Sequence, residues 1–386
     1  MCTMNPVYLD YAATTPVDER VLKAMLPYFS AQFGNPSSVY SYGRIARAAV
    51  AKAREQVAGL LQAEPAEIFF TSGGSESDNW VLKGMAFALR RAGKGNHIIT
   101  SQVEHHAVLN ACAWLEQQGF SVTYLPVDEF GRVKRETVEA ALREDTILVS
   151  IMTANNEVGT IEPIAEIGAM LQARQIFFHT DAVQAAGHIP LSVAELHVDA
   201  LSLSGHKLYG PKGIGALYLR RGFMPDALVH GGGQERDMRA GTENTAGIVG
   251  LGKAAALARE ELATEWERLS ELRDWLMAEI KTIPRCWING DEEYRLPGNV
   301  NFGVEGIAQD TLLIRLDMAG FAVSAGSACS AGSLMPSHVL TAMGQSADRA
   351  GSAIRVTLGR YTTKDMLQRL VEALKMTVAS IRKQSV

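Results

Sequence analysis

Short apolar runs alternate with amphipathic segments of helical period between about residue 65 and residue 220. Seven of the runs have the length and composition of buried strands: residues 68–70, 98–100, 122–125, 147–152, 176–180, 200–204 and 215–219. Strands that alternate with helices form a mostly parallel sheet that is covered on both faces. The ten-residue connection before the last strand is too short for a helical crossover, so that strand is predicted to run antiparallel.

The C-terminal part of the chain has a different pattern. A long helix is predicted over residues 251–282. Its apolar positions fall on one face: Leu257, Leu262, Trp266, Leu269, Leu276 and Ile280. Three later apolar runs, at residues 300–302, 321–324 and 354–358, alternate with helices. They predict a second, smaller α+β unit.

The start of the chain completes the predicted organisation. A helix N-terminus is predicted at Thr15, where a capping hydroxyl precedes a proline. Residues 7–11 are expected to pack on the smaller unit. With the long helix bridging the two units, we predict a large domain over residues 15–255 and a small domain formed by residues 1–14 and 256–386.

Composition narrows the class of protein. The 386 residues suffice for two domains, and 47% are hydrophobic while 20% are charged, as in soluble globular proteins. A net charge of −5 and the lack of a long Lys/Arg run argue against nucleic-acid binding. The sequence shows neither an apolar stretch of membrane-spanning length nor a signal peptide. We expect a cytoplasmic enzyme that binds neither nucleic acid nor membranes.

The four cysteines show no Cys-x-x-Cys spacing, so neither a disulfide framework nor a metal site is expected. Cys112 and Cys286 stand among apolar residues and are predicted to fill core positions. Cys329 differs, because it lies in a run of Ser, Ala, Gly and Cys at residues 324–333. Such a run has little packing energy and high backbone freedom, which predicts an accessible, reactive thiol. A cysteine used only as a small residue is the alternative.

One lysine stands where a strand meets a turn rich in glycine and proline. The strand at residues 200–204 ends at Ser204, and His206 and Lys207 follow. A lysine at the mouth of a sheet is partly desolvated, which lowers its pKa and frees its amine for a Schiff base, as with pyridoxal phosphate (PLP). Taken alone, a surface lysine at a strand end explains the pattern equally well.

Two other strand ends carry residues that suit a PLP site. After the first strand, Gly74 and Ser75 stand in a turn that opens a helix, where backbone N–H groups and a hydroxyl bind phosphate. After the fifth strand, Asp181 is placed to pair with a protonated pyridine nitrogen. Gln184, one helical turn on, is placed to reach the ring hydroxyl. A plain turn and a helix-capping aspartate are the local alternatives.

Three further residues are candidates for ring stacking and carboxylate binding. His105 follows the second strand and is suited to stack on a ring and move protons. Because adjacent histidines point in different directions, only one of His105 and His106 is expected to stack on the ring and move protons. Asn156 follows the fourth strand, and Arg355 lies in a predicted strand; both side chains suit a carboxylate. Core packing of the histidine and local turn formation at Asn156 are the alternatives.

In combination these motifs closely resemble those of the cysteine desulfurases of the NifS/IscS group, PLP enzymes of fold type I in the class-V aminotransferase family. The resemblance extends from residues 8–16 to residues 354–363. Its most specific motifs are residues 71–77, 204–207, 239–244 and 326–330. It implies an α/β fold with a mostly parallel seven-stranded sheet sandwiched by helices. It also implies a smaller α+β domain that carries the catalytic cysteine loop.

The resemblance implies roles at the cofactor. Lys207 would form the Schiff base with PLP, Asp181 would pair with the pyridine nitrogen, and Gln184 with the ring oxygen. His105 would stack on the ring. The residues implied to hold the phosphate are Gly74, Ser75, Ser204, His206 and, reaching into the neighbouring subunit's site, Thr242. The last of these implies a homodimer with shared sites.

The resemblance also implies the reaction. Asn156, at the cofactor, and Arg355 would bind the carboxylate of L-cysteine, and Lys207 would move the Cα proton. The thiolate of Cys329 would then take the sulfur as a persulfide and leave L-alanine, with His105 as a nearby base. A sulfur-acceptor protein such as an iron–sulfur scaffold is the implied partner.

Three other functions fit parts of this pattern. An aminotransferase would share the fold and the cofactor but has no use for the thiol of Cys329. A selenocysteine lyase would act on a substrate that differs by one atom. A non-enzymatic platform for sulfur-trafficking proteins is the third, and the presence of the lysine, aspartate, histidine and cysteine together argues against it. Housekeeping members of the resembled group dock an iron–sulfur scaffold through a longer C-terminal tail, so the resemblance does not extend to that docking and leaves the acceptor open.

Overall fold

A computed structural model describes residues 6–325 and 336–384. The strands are β1 (Val7–Tyr8), β2 (Ile68–Thr71), β3 (His97–Ser101), β4 (Ser121–Leu125), β5 (Thr146–Ser150), β6 (Phe177–Asp181), β7 (Ala200–Ser204), β8 (Gly215–Leu219), β9 (Cys286–Asn289), β10 (Asn299–Val304), β11 (Phe321–Ala322) and β12 (Ala353–Thr357). The helices are α1 (Glu19–Met25), α2 (Pro27–Ser30), α3 (Ser41–Leu61), α4 (Gly74–Arg91), α5 (His106–Gln117), α6 (Arg135–Ala141), α7 (Ile164–Ala173), α8 (Val193–Leu196), α9 (Thr245–Lys281), α10 (Gln309–Met318), α11 (His338–Ala342), α12 (Ala347–Ala350) and α13 (Lys364–Gln384). Within these residues, every helix is too short or too polar to cross a membrane.

A seven-stranded sheet forms the centre of the fold, in the order β2-β8-β7-β6-β5-β3-β4. Neighbouring strands pair in parallel except at β8, which runs antiparallel to both β2 and β7. The predicted seven strands and the antiparallel last strand are therefore confirmed. The carboxyl ends of the other six strands meet at one edge of the sheet, which brings together the polar residues that follow them.

Both faces of the sheet are buried against helices. Adjacent residues of β5 divide between the two faces, because side chains alternate along a strand. Leu148 lies in a core cluster with Trp80 of α4, and Val149 lies in another with Val57 of α3 and Leu251 of α9. Burial on both faces explains why these strands are nearly continuous apolar runs.

The C-terminal part of the chain and the N-terminal strand β1 build a smaller unit around its own core. Strands β12, β10 and β9 form an antiparallel sheet, and β1 pairs in parallel with β11. Val7, Leu276 and Phe302 meet in one apolar cluster there. Residues 7–8 thus pack on the smaller unit, as expected. The exact division into domains at residues 14 and 255 stays a prediction.

Helix α9 bridges the two cores. It begins earlier than predicted, at Thr245, because the Asn244 side chain accepts a hydrogen bond from the Gly247 N–H at 3.0 Å and caps it. Leu257 packs in the core of the large sheet and Leu269 in that of the smaller unit. The predicted apolar stripe is interrupted between them, where Trp266 is 36% exposed.

Two local predictions are corrected. The helix N-terminus lies at Asp18 and not at Thr15, because the Asp18 carboxylate accepts from the Arg20 N–H at 2.8 Å and also pairs with the guanidinium of Arg360. The Thr15 hydroxyl instead donates to the His206 carbonyl at 3.0 Å. Cys286 begins β9, an edge strand that was not predicted, and its half-buried side chain packs against the core of the smaller unit and not inside it. Cys112 is buried, as predicted.

Candidate active site

A cavity of about 380 Å³ opens at the carboxyl edge of the large sheet. The predicted site residues that line it are Gly74, Ser75, His105, Asn156, Asp181, Gln184, Ser204, His206, Lys207 and Arg355. They come from five strand ends of the large sheet, those of β2, β3, β5, β6 and β7, and from β12 of the smaller unit. Residues more than 280 positions apart in the chain are thus brought to one place.

Lys207 ends the short turn after β7, and the N-terminal segment holds its amine. Lys207 Nζ donates to the carbonyl oxygens of Ala12 and Ala13, the latter at 2.8 Å. Gln184 Nε2 donates to the same Ala12 carbonyl at 3.0 Å. The turn at residues 10–14 therefore forms one wall of the cavity, a role that was not predicted from the sequence.

Asp181 ends β6 and lines the cavity while almost fully buried. Burial raises the pKa of Asp181, and burial together with the Asp181 charge raises that of Asp78 on α4 well above its usual range. Among the described residues, Asp78 Oδ1 has no hydrogen-bond partner. Two buried carboxyls that repel each other in this way are not both charged unless a cation binds beside them. A protonated ring nitrogen against Asp181 supplies such a cation.

The N-terminus of α4 forms another part of the candidate cofactor site. The first N–H groups of a helix have no acceptor within it and favour an anion. A Cβ on Gly74 would lie 2.6 Å from Val183 Cγ2, so the backbone there has no room for a side chain. The Ser75 and Ser204 side chains and His206 line the same cavity. Burial, followed by the charges of Lys207 and Lys212, lowers the pKa of His206 to about 4.

Both adjacent histidines line the cavity, and the assignment of ring stacking to His105 stays a prediction. His105 is the N-cap of α5, and its Nδ1 accepts from the Ala107 N–H at 3.1 Å. His106 is the first residue of the helix. The two ring centroids lie 6.5 Å apart with 58° between the planes. The backbone of His105 is extended, whereas His106 already belongs to the helix.

Arg355 is fixed by the chain around it. One terminal nitrogen donates to the Asn156 carbonyl at 2.9 Å, and the other pairs with Asp10 Oδ1 at 2.8 Å. Arg355 is only 2% exposed, so its guanidinium plane is held rigidly at the cavity wall. A planar, oriented guanidinium is the group best suited to a substrate carboxylate.

One predicted residue lies elsewhere, and another cannot be placed. Thr242 is exposed and lines a separate surface cavity of about 300 Å³ beside Phe29 and Phe33. Cys329 lies outside the described residues. Conversely, Asp78, Glu157 and His338 line the main cavity without having been predicted.

Comparison with known proteins agrees with this geometry. The family model "Aminotransferase class-V" matches residues 7–370. The chain belongs to the aminotransferase class-V family. Among curated relatives, "Cysteine desulfurase IscS" of Methanosarcina thermophila is 53% identical over 379 residues, which cover 98% of this chain and 93% of that protein. "Putative cysteine desulfurase IscS 1" of Bacillus subtilis is 50% identical and covers 95% of this chain and 96% of its own length.

Solved structures of the family have the same fold. One named "NIFS-LIKE PROTEIN" matches with a TM-score of 0.91 at 40% identity, over 97% of this chain and 99% of its own. Another, "SspA in complex with cysteine", matches with a TM-score of 0.81 at 41% identity, over 92% of this chain and all of its own. The predicted resemblance to the NifS/IscS group and the predicted fold are confirmed. Family membership also confirms PLP as the cofactor, and the lysine, the buried acid pair and the helix N-terminus fit it.

Proposed function

We propose that this chain is a PLP-dependent cysteine desulfurase, which converts L-cysteine to L-alanine and takes the sulfur as a persulfide on Cys329. The observation that carries the proposal is that Lys207, Asp181 and Arg355 line one cavity. These three side chains suit the cofactor aldehyde, its ring nitrogen and the carboxylate of an amino acid. The relatives named above carry the same activity in their names.

Each residue has a task that follows from its position. PLP, when bound, supplies an electrophilic carbon for the substrate amine and an electron sink for charge that develops at Cα. Asp181 would keep the ring nitrogen protonated. Lys207, whose amine rests on the Ala12 and Ala13 carbonyls, moves the Cα proton. The first turn of α4 holds the phosphate.

The substrate is oriented by groups that all amino acids share, above all the carboxylate. Arg355 and the Asn156 side chain bind the carboxylate, and the rigid guanidinium keeps Cα in place while its bonds change. His105 would stack on the ring, and because its Nδ1 accepts from the Ala107 N–H, its neutral ring carries Nε2–H as a hydrogen-bond donor. We place the enzyme in the cytoplasm, with a sulfur-acceptor protein such as an iron–sulfur scaffold as its partner.

The activity is tested by the products that the PLP-loaded enzyme makes from L-cysteine in the presence of a reductant. We expect alanine and sulfide in equal amounts, measured by amino-acid analysis and sulfide assay. Selenocysteine is tested in parallel, because its selenium occupies the place of the sulfur. Conversion of a 2-oxo acid to an amino acid without alanine or sulfide from cysteine would instead identify an aminotransferase.

We further propose a homodimer whose partner packs on the surface formed by α1, α2 and the start of α3. The apolar side chains more than half exposed there are Leu26, Phe29, Phe33, Val39, Tyr40 and Tyr42. A cluster of exposed apolar side chains of this size is typical of an interface. Thr242 adjoins it beside Phe29 and Phe33, a position that supports its reaching the phosphate in the neighbouring subunit.

Replacing Phe29 and Phe33 together with aspartate is expected to give a monomer, because two charges would be buried in the interface. Light scattering after size-exclusion chromatography measures the mass. We expect alanine formation to fall by ~10-fold or more, as each site loses one phosphate contact. Met376→Asp is the control, since Met376 is 69% exposed on α13. A double variant that stays dimeric would contradict the proposed interface.

A further inference from the structure

Two histidines of the cavity have no task in the proposed function. The ring centroids of His106 and His338 lie 4.7 Å apart with 40° between the planes. His338 begins α11, nine residues after Cys329 in the sequence, and 28% of its side chain is exposed. Both rings line the same cavity as Lys207. The cavity therefore holds ionisable groups beyond those that fit the cofactor.

Hydrogen bonds determine which nitrogen of each ring carries the proton. His105 Nδ1 accepts from a backbone N–H, so the neutral His105 ring carries its proton on Nε2 and acts as a donor. His338 Nε2 lies 3.0 Å from the carbonyl oxygen of Glu104, which only accepts. The neutral His338 ring therefore carries its proton on Nε2 and keeps the lone pair on Nδ1. Of His105 and His338, only His338 therefore has a ring nitrogen with a lone pair that no hydrogen bond from the described residues occupies, so His338 is the better proton acceptor.

The acceptor nitrogen of His338 has a carboxylate near it. Nδ1 lies 4.0 Å from Oε1 of Glu157, which is 2% exposed, and Oε2 of Glu157 accepts from the Ser337 hydroxyl at 2.5 Å. A buried carboxylate at this distance stabilises the imidazolium that forms when Nδ1 is protonated. A carbonyl that orients one nitrogen and an acid that balances the charge are what a general base requires.

The other ionisable groups around His338 do not compete for this role. The Glu104 carboxyl accepts from the Ser101 hydroxyl and the Met152 N–H, and burial raises its pKa to about 8, which leaves it largely uncharged at neutral pH. Burial, followed by the charges of His338 and His105, lowers the pKa of His106. His106 therefore remains a neutral ring packed against His338.

Building on the proposed function, we propose that His338 is the proton acceptor for the thiol that reacts in this cavity. Nδ1 takes the S–H proton, the sulfur keeps the electron pair, and Glu157 balances the imidazolium. An ordinary cysteine thiol has a pKa of about 8.5 and is only a few per cent ionised at neutral pH. As the sulfur–sulfur bond forms and the carbon–sulfur bond breaks, alanine gains a proton at Cβ, and the imidazolium supplies it.

The thiol is that of Cys329 or that of bound L-cysteine, and two measurements separate them. His338→Gln keeps an amide that can donate to the Glu104 carbonyl but does not titrate. In the PLP-loaded enzyme, we expect single-turnover persulfide formation at pH 7 to be ~10²-fold slower than in wild type and to rise with pH toward 9. The second measurement is the rate of Cys329 alkylation by iodoacetamide as a function of pH, without substrate. The midpoint of this pH profile moves to higher pH in the variant only if Cys329 is the thiol that His338 deprotonates.

A second variant distinguishes a proton acceptor from a structural role. Glu157→Gln still accepts from Ser337 but loses the charge, so we expect the acidic limb of persulfide formation to move to lower pH with a reduced maximum rate. His230→Gln is the matched control, since His230 is exposed and does not line the cavity. Equal cofactor absorbance in all variants verifies that each of them binds PLP as the wild type does. Unchanged pH profiles in both His338→Gln and Glu157→Gln would overturn the proposal; a wild type that forms no alanine would instead reject the proposed function.

Discussion

Cys329→Ala is expected to lower alanine formation from L-cysteine by ~10³-fold or more, because the sulfur then has no nucleophile to receive it. Cofactor binding should be retained, since the lysine, the buried acids and the helix N-terminus that fit PLP all belong to other segments. Amino-acid analysis measures the alanine. Mass spectrometry of wild type after a single turnover without reductant is expected to show one added sulfur atom on the peptide that contains Cys329.

The other cysteines provide controls for this result. Burial raises the pKa of Cys286 to about 11 and that of Cys112 to about 12, so neither thiol is appreciably ionised at neutral pH. Cys286→Ala is therefore expected to leave alanine formation and persulfide formation unchanged. Alanine production that survives in Cys329→Ala would mean that sulfur leaves the substrate by a route without this thiol, and the persulfide proposal would fail.

Lys207→Ala is expected to have an effect of similar size, ~10³-fold or more on alanine formation, for a different reason. The variant loses both the covalent attachment of PLP and the amine that moves the Cα proton. Borohydride reduction followed by mass spectrometry measures the attachment, which is expected in wild type and absent in the variant. Non-covalent PLP should still bind, because its phosphate and ring contacts remain.

Lys212→Ala is the matched control for this experiment. Lys212 is exposed in the turn that follows Lys207 and does not line the cavity. We expect its loss to change neither the attachment nor the activity. Covalent PLP that persists after reduction of the Lys207 variant would show that another amine holds the cofactor.

The part of the site that was predictable from the sequence is the part built on strand ends. Asp181, Ser204 and Gly74 each follow a recognisable apolar run, and the parallel sheet brings those ends to one edge. Local pattern and global topology therefore give the same answer for them. The motif resemblance then added their roles, which spacing alone left open.

Other parts of the site leave no local signature. Ala12 and Ala13 act through backbone carbonyls, which any residue supplies. Glu157 and His338 meet only because the chain folds, and no spacing relates them in the sequence. The N-cap at Asp18 was missed for the same reason, since Arg360, which pairs with its carboxylate, lies far along the chain.

The turn at residues 10–14 has a consequence for specificity. Asp10 pairs with the guanidinium of Arg355, which suits a carboxylate. Two residues later, the Ala12 carbonyl accepts a hydrogen bond from the amine of Lys207. Strand β1 joins the same segment to the smaller unit. The turn thus fixes the distance between the group that receives the amino group and the group that receives the carboxylate, and all α-amino acids share these two groups. The amino and carboxylate groups therefore let any α-amino acid bind in the same orientation. Selection among amino acids depends on the chemistry of the side chain, here on its sulfur.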